Sequence, residues 1–445
     1  MRYRKTAVVL LVCLLAGALS GCFFKSVEEL YALPKQSEEY YDLQAEIDRL
    51  MVVGTSYAAP TSGANQQSVQ LADLDGDGED EAVVFLKTGA DKPLKAYIFD
   101  RTDQSFQNVA VIEGDGNSFE SVEYAQIDGK PGLEIVIGRQ VSDQVLQSMS
   151  VYALHQNRLV ELMSANYTEY TIPDLDSDGN ADVFLLRFDG EERKGIAEYY
   201  HIVDDQMERE PEVQLSAGVE TIKRIISGNV AAHTPAIFVA SIYQENSIIT
   251  DIFAYRGGVF TNITTESETG TSAQTIRNYY VYATDIDSDG LIELPRPYQL
   301  PNFDPNSTET YWTIDWYNLT AAGEERHKMT TYHNYSAGWY VILPDQWDAQ
   351  FTVTRSEPVS GVRGYVISRW NGTKQAPEPI FTIYAFSGED RSDQALANGR
   401  FILGEKGDVT YAAKLGSGPL ASTLTQEAMM DMFNFIQVDW NSGET

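Results

Sequence analysis

Short runs of apolar residues alternate with polar turns along most of the chain. Typical runs are residues 82–85, 134–137 and 236–239, and each is bounded by Gly, Asp, Ser or Asn. In this part of the sequence the hydrophobic pattern has a period of two, which is the period of a strand with one face in a core. The pattern therefore predicts an all-β region over residues 54–336.

The segment before this region has a helical pattern instead. Tyr40, Leu43, Ile47 and Leu50 follow the i, i+3 and i+4 spacing of one helix face. This spacing predicts a helical stalk within residues 22–53. We expect its apolar stripe to pack on the neighbouring β region.

The C-terminal part, residues 337–445, combines both patterns. Strand-like runs continue from Trp339 to Ala413, and residues 423–436 have a helical pattern in which Gln426 completes a cap on Thr423. The combination predicts a small α+β domain.

An acidic segment recurs within the β region. Residues 72–81, 125–134, 173–182 and 284–293 align without a gap, and residues 226–238 form a lengthened copy without the acids. The copies are spaced by about 50 residues, and a repeat of that length with four strands is typical of a β-propeller blade. The fold class predicted is therefore mainly β, a β-propeller with acidic loops followed by the α+β domain.

A strand count gives five blades. The unit after the last acidic segment has strands near residues 294–299, 311–318 and 327–334, one fewer than a blade needs. We expect residues 68–72, which precede the first acidic segment, to supply the missing strand and close the ring. Six blades are the alternative if the degenerate part of the chain contains one more.

The acidic segments have the spacing of a metal-binding loop. Aspartates at loop positions 1, 3 and 5 surround one point, and the glycine at position 6 permits the tight reversal of the chain. Position 7 offers a main-chain carbonyl, and position 9 is an acid. The predicted ligands are Asp73, Asp75, Asp77, Glu79 and Glu81 in the first loop, Asp174, Asp176, Asp178, Asn180 and Asp182 in the second, and Asp285, Asp287, Asp289, Leu291 and Glu293 in the third. Carboxylates this close repel one another without a cation, so we predict three Ca²⁺ sites.

These loops differ from EF-hands. An EF-hand has a glutamate at position 12 between two helices, whereas position 12 is Val84, Leu185 or Arg296 here and strands flank each loop. The pattern resembles the FG-GAP/VCBS repeats of integrin α-subunit propellers over about residues 54–335. That resemblance implies structural calcium that locks the blade edges on the side away from the ligand face. Solvated Asp/Gly turns without metal are the alternative.

One copy, residues 126–134, lacks part of the ligand set. Gln126 and Lys130 replace the acids at positions 1 and 5. We expect the lysine ammonium to stand where calcium would, paired with Asp128 and Glu134. No metal is expected there or in the lengthened copy at residues 228–236.

The N-terminal residues carry an export signal. Arg2, Arg4 and Lys5 precede an apolar run that is too short to span a bilayer as a helix but suits a signal peptide. The following Leu-Ser-Gly-Cys sequence, ending at Cys22, resembles the bacterial lipobox. It implies cleavage after residue 21 and lipidation of Cys22, which would anchor an extracytoplasmic protein to the cell membrane. An ordinary secretory signal with a chance cysteine is the alternative.

Composition narrows the range of partners. The formal net charge of −33 argues against nucleic acid and against docking on anionic lipid. Cys13 lies in the predicted signal peptide, so the mature chain keeps one cysteine and has no intramolecular disulfide. Bound metal is another way to stiffen the loops of an exported protein.

No enzyme motif stands out in the sequence. The chain has no nucleophile elbow, HExxH, CxxC or phosphate-binding glycine loop, and its histidines are scattered. We therefore expect a non-catalytic binding, adhesion or scaffold module for a protein or a glycan. The alternatives are a cell-surface hydrolase acting on cell-wall or extracellular glycan, and a C-terminal effector domain for which the propeller is a spacer.

Aromatic residues are dense near the last repeat. Such clusters stack on sugars or anchor a protein partner, but they also pack between blades. The residues concerned are Tyr279, Tyr280, Tyr282, Tyr311, Trp312, Trp316 and Tyr317.

Overall fold

The computed structural model describes residues 40–437 apart from residues 103–104, 142–146, 245, 304–307, 321–322, 348–349, 360, 371 and 373–374. The predicted signal peptide, the predicted lipidation site Cys22 and the first part of the stalk lie outside these residues. The described chain is mainly β, with 55% strand and 10% helix. None of its helices combines the length and apolarity that a membrane span requires.

The described chain begins with helix α1 (Tyr41–Leu50) and continues into antiparallel sheets that follow one another along the sequence. The first sheet consists of β1 (Ser56–Tyr57), β2 (Val69–Ala72), β3 (Glu81–Lys87), β4 (Leu94–Thr102) and β5 (Ser105–Gly114). The second sheet consists of β6 (Ser118–Ala125), β7 (Glu134–Gln140), β8 (Gln147–His155) and β9 (Arg158–Tyr167). The third sheet consists of β10 (Glu169–Thr171), β11 (Val183–Asp189), β12 (Lys194–Val203), β13 (Gln206–Arg209) and β14 (Val213–Gln214).

Three more sheets complete the described chain. The fourth sheet consists of β15 (Val219–Ala231), β16 (Thr234–Tyr243), β17 (Ser247–Arg256) and β18 (Val259–Asn262). The fifth sheet contains β19 (Leu294–Gln299), β20 (Trp312–Leu319), β21 (Glu325–Asn334) and β22 (Trp339–Leu343). The sixth sheet contains β23 (Phe351–Val359), β24 (Val362–Arg369), β25 (Glu378–Ser387), β26 (Phe401–Lys406) and β27 (Val409–Leu415), with α2 (Arg391–Leu396) between β25 and β26. After α3 (Gln426–Met432), β28 (Phe433–Phe435) returns to the edge of the fifth sheet beside β22.

Consecutive sheets pack on one another through apolar seams. Phe85 of the first sheet meets Phe119 of the second with ring centroids 5.0 Å apart, and Phe184 of the third meets Phe253 of the fourth at 5.6 Å. Similar clusters join the second sheet to the third and the fourth to the fifth. Each buried aromatic or aliphatic side chain contributes about 1.5–3 kcal/mol, so the seams hold the row of sheets together.

The outer faces of this row are covered by other elements. In β3 alternate side chains point to opposite faces; Val84 and its neighbours on one face pack against Leu43 and Ile47 of α1. At the other end, Trp339 of the fifth sheet packs on Tyr365 of the sixth, with ring centroids 5.7 Å apart. The predicted packing of the stalk stripe is thus confirmed for α1. In the described part of the chain no apolar cluster joins the fifth sheet to the first.

The predicted ring closure through residues 68–72 is wrong. Leu71 pairs with Ala82 in the first sheet, and the fifth sheet has its own fourth strand, in which Tyr340 pairs with His333. A short loop joins β2 to β3, so their pairing costs far less chain entropy than pairing with a distant sheet. The boundary expected between residues 336 and 337 falls in the turn between β21 and β22.

The last helix is shorter than expected. The helix predicted over residues 423–436 is α3, which begins at Gln426 and gives way to β28 at Phe433. Its cap is Thr425, whose hydroxyl accepts the Ala428 N–H at 3.1 Å, so the cap predicted on Thr423 is wrong. A threonine with extended backbone directly before the first helical residue is the favoured N-cap arrangement.

Candidate metal centres

Each complete acidic loop leads directly into a strand of a sheet. The first loop (73–81) connects β2 to β3, the second loop (174–182) connects β10 to β11, and the third loop (285–293) precedes β19. In each loop three carboxylates offer oxygens that all lie within 4.8 Å of one another. The three groups are Asp73, Asp75 and Glu81, then Asp174, Asp176 and Asp182, then Asp285, Asp287 and Asp289.

The grouping agrees with part of the predicted ligand set. Positions 1, 3 and 9 come together in the first two loops, whereas the third loop gathers positions 1, 3 and 5 and leaves Glu293 outside its group. Asp77 and Asp178, at position 5, each accept the backbone N–H two residues further on, at 2.8 and 2.7 Å. The predicted ligands at position 7 are the main-chain carbonyls of Glu79, Asn180 and Leu291. The three groups contain side-chain oxygens only, so they do not test these carbonyls.

The same two hydrogen bonds shape every complete loop. The glycine N–H at position 6 donates to the position 1 aspartate, at 3.1, 3.2 and 2.9 Å in the three loops. The acid at position 9 accepts the N–H of position 2, at 2.7, 2.7 and 2.9 Å. Each position 6 glycine has a positive φ between 85° and 93°, a conformation that strains any other residue. The acids are therefore held by backbone geometry that the loop sequence itself encodes.

The acids at position 9 are almost fully buried. Burial raises the pKa of Glu81, Asp182 and Glu293 to about 7, although the position 2 N–H opposes the shift. Glu81 Oε1 also has no hydrogen-bond partner among the described residues, a loss of about 1–3 kcal/mol for a buried polar atom. Neighbouring negative charge at Asp75 and at Asp100, outside the loop, raises the pKa of Glu81 further. A cation in the first loop would remove both penalties.

A histidine borders the second loop. His201 on β12 places Nδ1 3.0 Å from Asp176 Oδ2 and Nε2 3.1 Å from Glu210 Oε1. Burial alone lowers the pKa of His201, but the two carboxylates outweigh it and raise the pKa. The Tyr199 hydroxyl also donates to Asp182 at 2.9 Å. The second loop is therefore partly compensated by groups from its own sheet.

A lysine borders the third loop. Lys328 on β21 lies 2.7 Å from Asp287 Oδ2 and pairs with Asp289 as well. Burial alone lowers the pKa of Lys328, but the two aspartates outweigh it and raise the pKa. Glu293 is satisfied separately, because the Asn318 amide donates to its Oε1 at 2.6 Å. The third loop thus has a cation supplied by the chain.

The copy at residues 126–134, the degenerate loop, differs from the prediction in one contact. Lys130 lies 3.4 Å from Asp128 as expected, but Glu134 accepts the Ile127 N–H at 2.6 Å instead of pairing with the lysine. His155, which the sequence did not single out, lies 2.7 Å from Asp128 Oδ2. Burial raises the pKa of Asp128, but the Lys130 N–H and His155 outweigh it and lower the pKa.

The lengthened copy forms a tight hairpin. Residues 228–236 lie where β15 turns into β16, with Gly228 opposite Ala236. The turn contacts the third loop, because the Ile292 N–H donates to the Asn229 carbonyl at 2.8 Å.

That contact belongs to a series between successive loops. The position 8 N–H of one loop donates to the position 1 carbonyl of the preceding one: Leu133 to Asp73 at 2.9 Å, and Ala181 to Gln126 at 2.6 Å. The Ile292 bond joins the third loop to the hairpin turn in the same way. The loops are therefore linked to one another as well as to their own sheets.

The aromatic residues divide into two groups. Trp316, Tyr317 and Tyr282 are buried, and Tyr317 belongs to the seam between the fourth and fifth sheets. Tyr279, Tyr311 and Trp312 instead line a cleft beside the fifth sheet. Tyr280 is 47% exposed.

Comparison with known proteins adds little. No family model and no curated protein matches the chain. Among solved structures, the exotype rhamnogalacturonan lyase YesX has a TM-score of 0.32 at 11% identity over 74% of this chain, which spans 65% of the lyase. Sqt1 from Chaetomium thermophilum has a TM-score of 0.28 at 12% identity, covering 79% of this chain and all of that one. Likeness at this level bears on neither fold nor function.

Proposed function

We propose that this protein is a calcium-stiffened binding module, anchored outside the cytoplasm to a bacterial membrane by a lipid on Cys22. The observation that carries the proposal is the triplet of carboxylates that recurs in three loops at equivalent places. Calcium prefers six to eight oxygen ligands at 2.3–2.6 Å, and each loop offers clustered carboxylates together with main-chain carbonyls. The first five sheets act as blades of a propeller-type repeat, with calcium at their edges.

The three loops differ in their need for a cation. The first loop has an added acid, Asp100, and a buried carboxylate oxygen without a partner. The second has His201, and the third has Lys328 already paired with two of its aspartates. Calcium must displace the ammonium in the third loop, so we expect affinity to fall in the order first, second, third.

In this proposal the lipid on Cys22 is the only attachment of the protein to the membrane. The net charge of −33 repels anionic lipid, and a lipobox-like sequence offers covalent attachment instead. The helix α1 then connects the anchor to the first sheet.

Thermal unfolding with and without calcium tests the calcium role. For the purified full chain, calcium at a hundredfold excess over Kd should stabilise each occupied site by about 2.7 kcal/mol, and a chelator should lower Tm by several degrees. Asp75→Asn should remove most of the shift that belongs to the first loop. Asp80→Asn, which makes the same charge change at an exposed position of that loop, should not. An equal Tm with calcium and with chelator would refute the calcium role.

Binding without catalysis is the second part of the proposal. In each complete loop the acids at positions 1 and 9 accept hydrogen bonds from backbone N–H groups of the same loop, which favours a structural role for these acids over acid–base catalysis. We expect no turnover on a panel of cell-wall and extracellular glycans. Turnover that is abolished by changing one carboxylate outside the loops would establish the hydrolase instead.

A further inference from the structure

A cleft between the fifth and sixth sheets lies apart from the three loops. It has a volume of about 300 Å³, within the range of small-molecule sites. Tyr279, Trp312, His333 and Tyr335 line it from the side of the fifth sheet, and Arg355 and Tyr365 line it from the sixth. The cleft therefore exists only where the repeat region and the C-terminal sheet meet.

Aromatic rings form the walls of the cleft. Tyr279 and Trp312 stack with centroids 4.7 Å apart and planes 23° apart, and Tyr335 lies 5.8 Å from Tyr279. Behind them Tyr332 is buried near the phenols of Tyr311, Tyr365 and Tyr279. The walls combine flat apolar faces with several hydroxyl groups.

Two buried polar side chains in the lining lack partners. His333 is 4% exposed, and neither of its ring nitrogens has a hydrogen-bond partner among the described residues. Asn334 uses its Oδ1 to accept the Ala337 N–H at 3.2 Å, but its Nδ2 has no partner among those residues. A buried donor or acceptor without a partner destabilises the unliganded protein. A ligand that brings hydroxyl groups would recover this cost.

Charged groups stand at the rim. Arg355 Nη1 lies 3.1 Å from Glu309 Oε1, and the Tyr311 hydroxyl donates to the other oxygen of Glu309. A carboxylate and a guanidinium side by side can accept from and donate to neighbouring hydroxyls of one ligand.

We infer that this cleft binds a saccharide ring. A sugar has an apolar face for the aromatic walls and an edge of hydroxyls for His333, Asn334 and the Glu309–Arg355 pair. An aromatic side chain of a peptide would leave the polar groups unpaired, and sites built to hydrogen-bond a hydroxyl reject ligands without one. The inference rests on the proposed binding function and names its ligand class.

Calorimetric titration of the calcium-loaded full chain tests the inference. The panel consists of neutral hexoses, 6-deoxyhexoses, N-acetylhexosamines and uronic acids, each as the monosaccharide and as a short oligomer. At least one should bind saturably, and His333→Phe and Glu309→Gln should each weaken that binding at least tenfold. His327→Phe on the same strand and Glu324→Gln make matched changes at exposed positions outside the cleft and should leave it unchanged.

Three outcomes would overturn the inference. In the first, no member of the panel binds. In the second, both cleft variants bind the sugar as well as the wild type does. In the third, tryptophan amide or tyrosine amide binds but no sugar does. Circular dichroism melts confirm that each variant is folded. If Tm depends on calcium but no sugar binds, only the saccharide inference is rejected. If Tm does not depend on calcium, the calcium role is rejected, whatever the cleft binds.

Discussion

One position, on the strand that pairs with the strand following each loop, contributes to the balance of the nearby loop acids. In each of these sheets the residue at loop position 10 pairs with a residue on the neighbouring strand. The position in question is the next residue along that neighbouring strand. The residues found there are Asp100, Ala153, His201 and Asn318 in the first, second, third and fifth sheets. Asp100 adds negative charge beside the first loop, whereas His201 and Asn318 bond to loop acids. In the first, third and fifth sheets this side chain therefore changes the surroundings of the loop acids without changing the loop itself.

Lys328 acts on the third loop from a different strand, β21, and its effect can be tested directly. Lys328→Met keeps an unbranched side chain but removes the ammonium that pairs with Asp287 and Asp289. The third loop should then bind calcium about tenfold more tightly, since the ion no longer competes with a fixed cation, which corresponds to about 1.4 kcal/mol. Isothermal titration at constant ionic strength measures the change. Lys194→Met, at an exposed lysine paired with Glu192, is the control, and unchanged or weaker affinity for Lys328→Met would contradict the argument.

His333 predicts a loss of stability in acid. Burial lowers the pKa of His333 to about 3, against about 6.5 in an unfolded chain. Between these values the unfolded state binds more protons, so the free energy of unfolding rises with pH and falls on acidification. Below pH 6.5 this histidine should cost about 1.4 kcal/mol per pH unit.

Guanidinium unfolding from pH 7.5 to pH 5 measures that loss. Relative to the wild type, His333→Phe should remove this contribution, so that its unfolding free energy differs from that of the wild type by an amount that changes about 1.4 kcal/mol per pH unit below pH 6.5, whereas the exposed His327→Phe should run parallel to the wild type. A wild-type and a His333→Phe curve that run parallel through this range would show that the ring is not buried as a neutral imidazole.

The loop acids were predictable from sequence because their contacts are local. Asp73, Asp75 and Glu81 lie within nine residues, and the backbone turns of the loop bring them together. The compensating side chains were not predictable, because they come from other strands. His201 is 25 residues from Asp176, and Lys328 is 39 residues from Asp289. The sequence spacing contains no signal for such contacts without the strand register.

Among the elements, α1 has a specific structural task. It covers the face of the first sheet that no other sheet covers in the described chain, through Leu43 and Ile47. Leu43→Ala or Ile47→Ala should lower the free energy of unfolding by about 2–5 kcal/mol, since each leaves a cavity against β3. Chemical denaturation measures the loss. Tyr41→Ala, at a side chain that is 53% exposed, should change it little, and equal effects at positions 41 and 43 would contradict the packing.

The strands themselves were largely predictable, but their pairing was not. Continuous short apolar runs located β3, β7 and β16, because a strand between two apolar seams must be apolar on both faces. The partner of residues 68–72 was assigned to the wrong sheet, since an edge strand of four residues carries too little pattern to fix its neighbour. The seam between the fifth and sixth sheets was also missed, because it joins elements that the sequence placed in separate domains.

At the scale of the whole molecule, the proposed lipid anchor on Cys22 predicts where the protein resides. Cys22→Ser should abolish lipidation and move the protein from the membrane fraction to the soluble extracytoplasmic fraction. Cys13→Ser changes a cysteine within the predicted signal peptide and should leave the protein in the membrane fraction. Fractionation with metabolic labelling by an alkyne fatty acid measures both. Labelled Cys22→Ser protein would place the lipid elsewhere.

The backbone bonds between successive loops divide the molecule into two blocks. They join the first three sheets through Leu133 and Ala181, and the fourth and fifth through Ile292, whereas among the described residues none joins the third sheet to the fourth. An ion lost from one loop would therefore loosen its linked neighbours before it affected the other block. Native-state hydrogen exchange in chelator should reveal two separate opening events, with the hinge between them at the aromatic seam of Phe184 and Phe253.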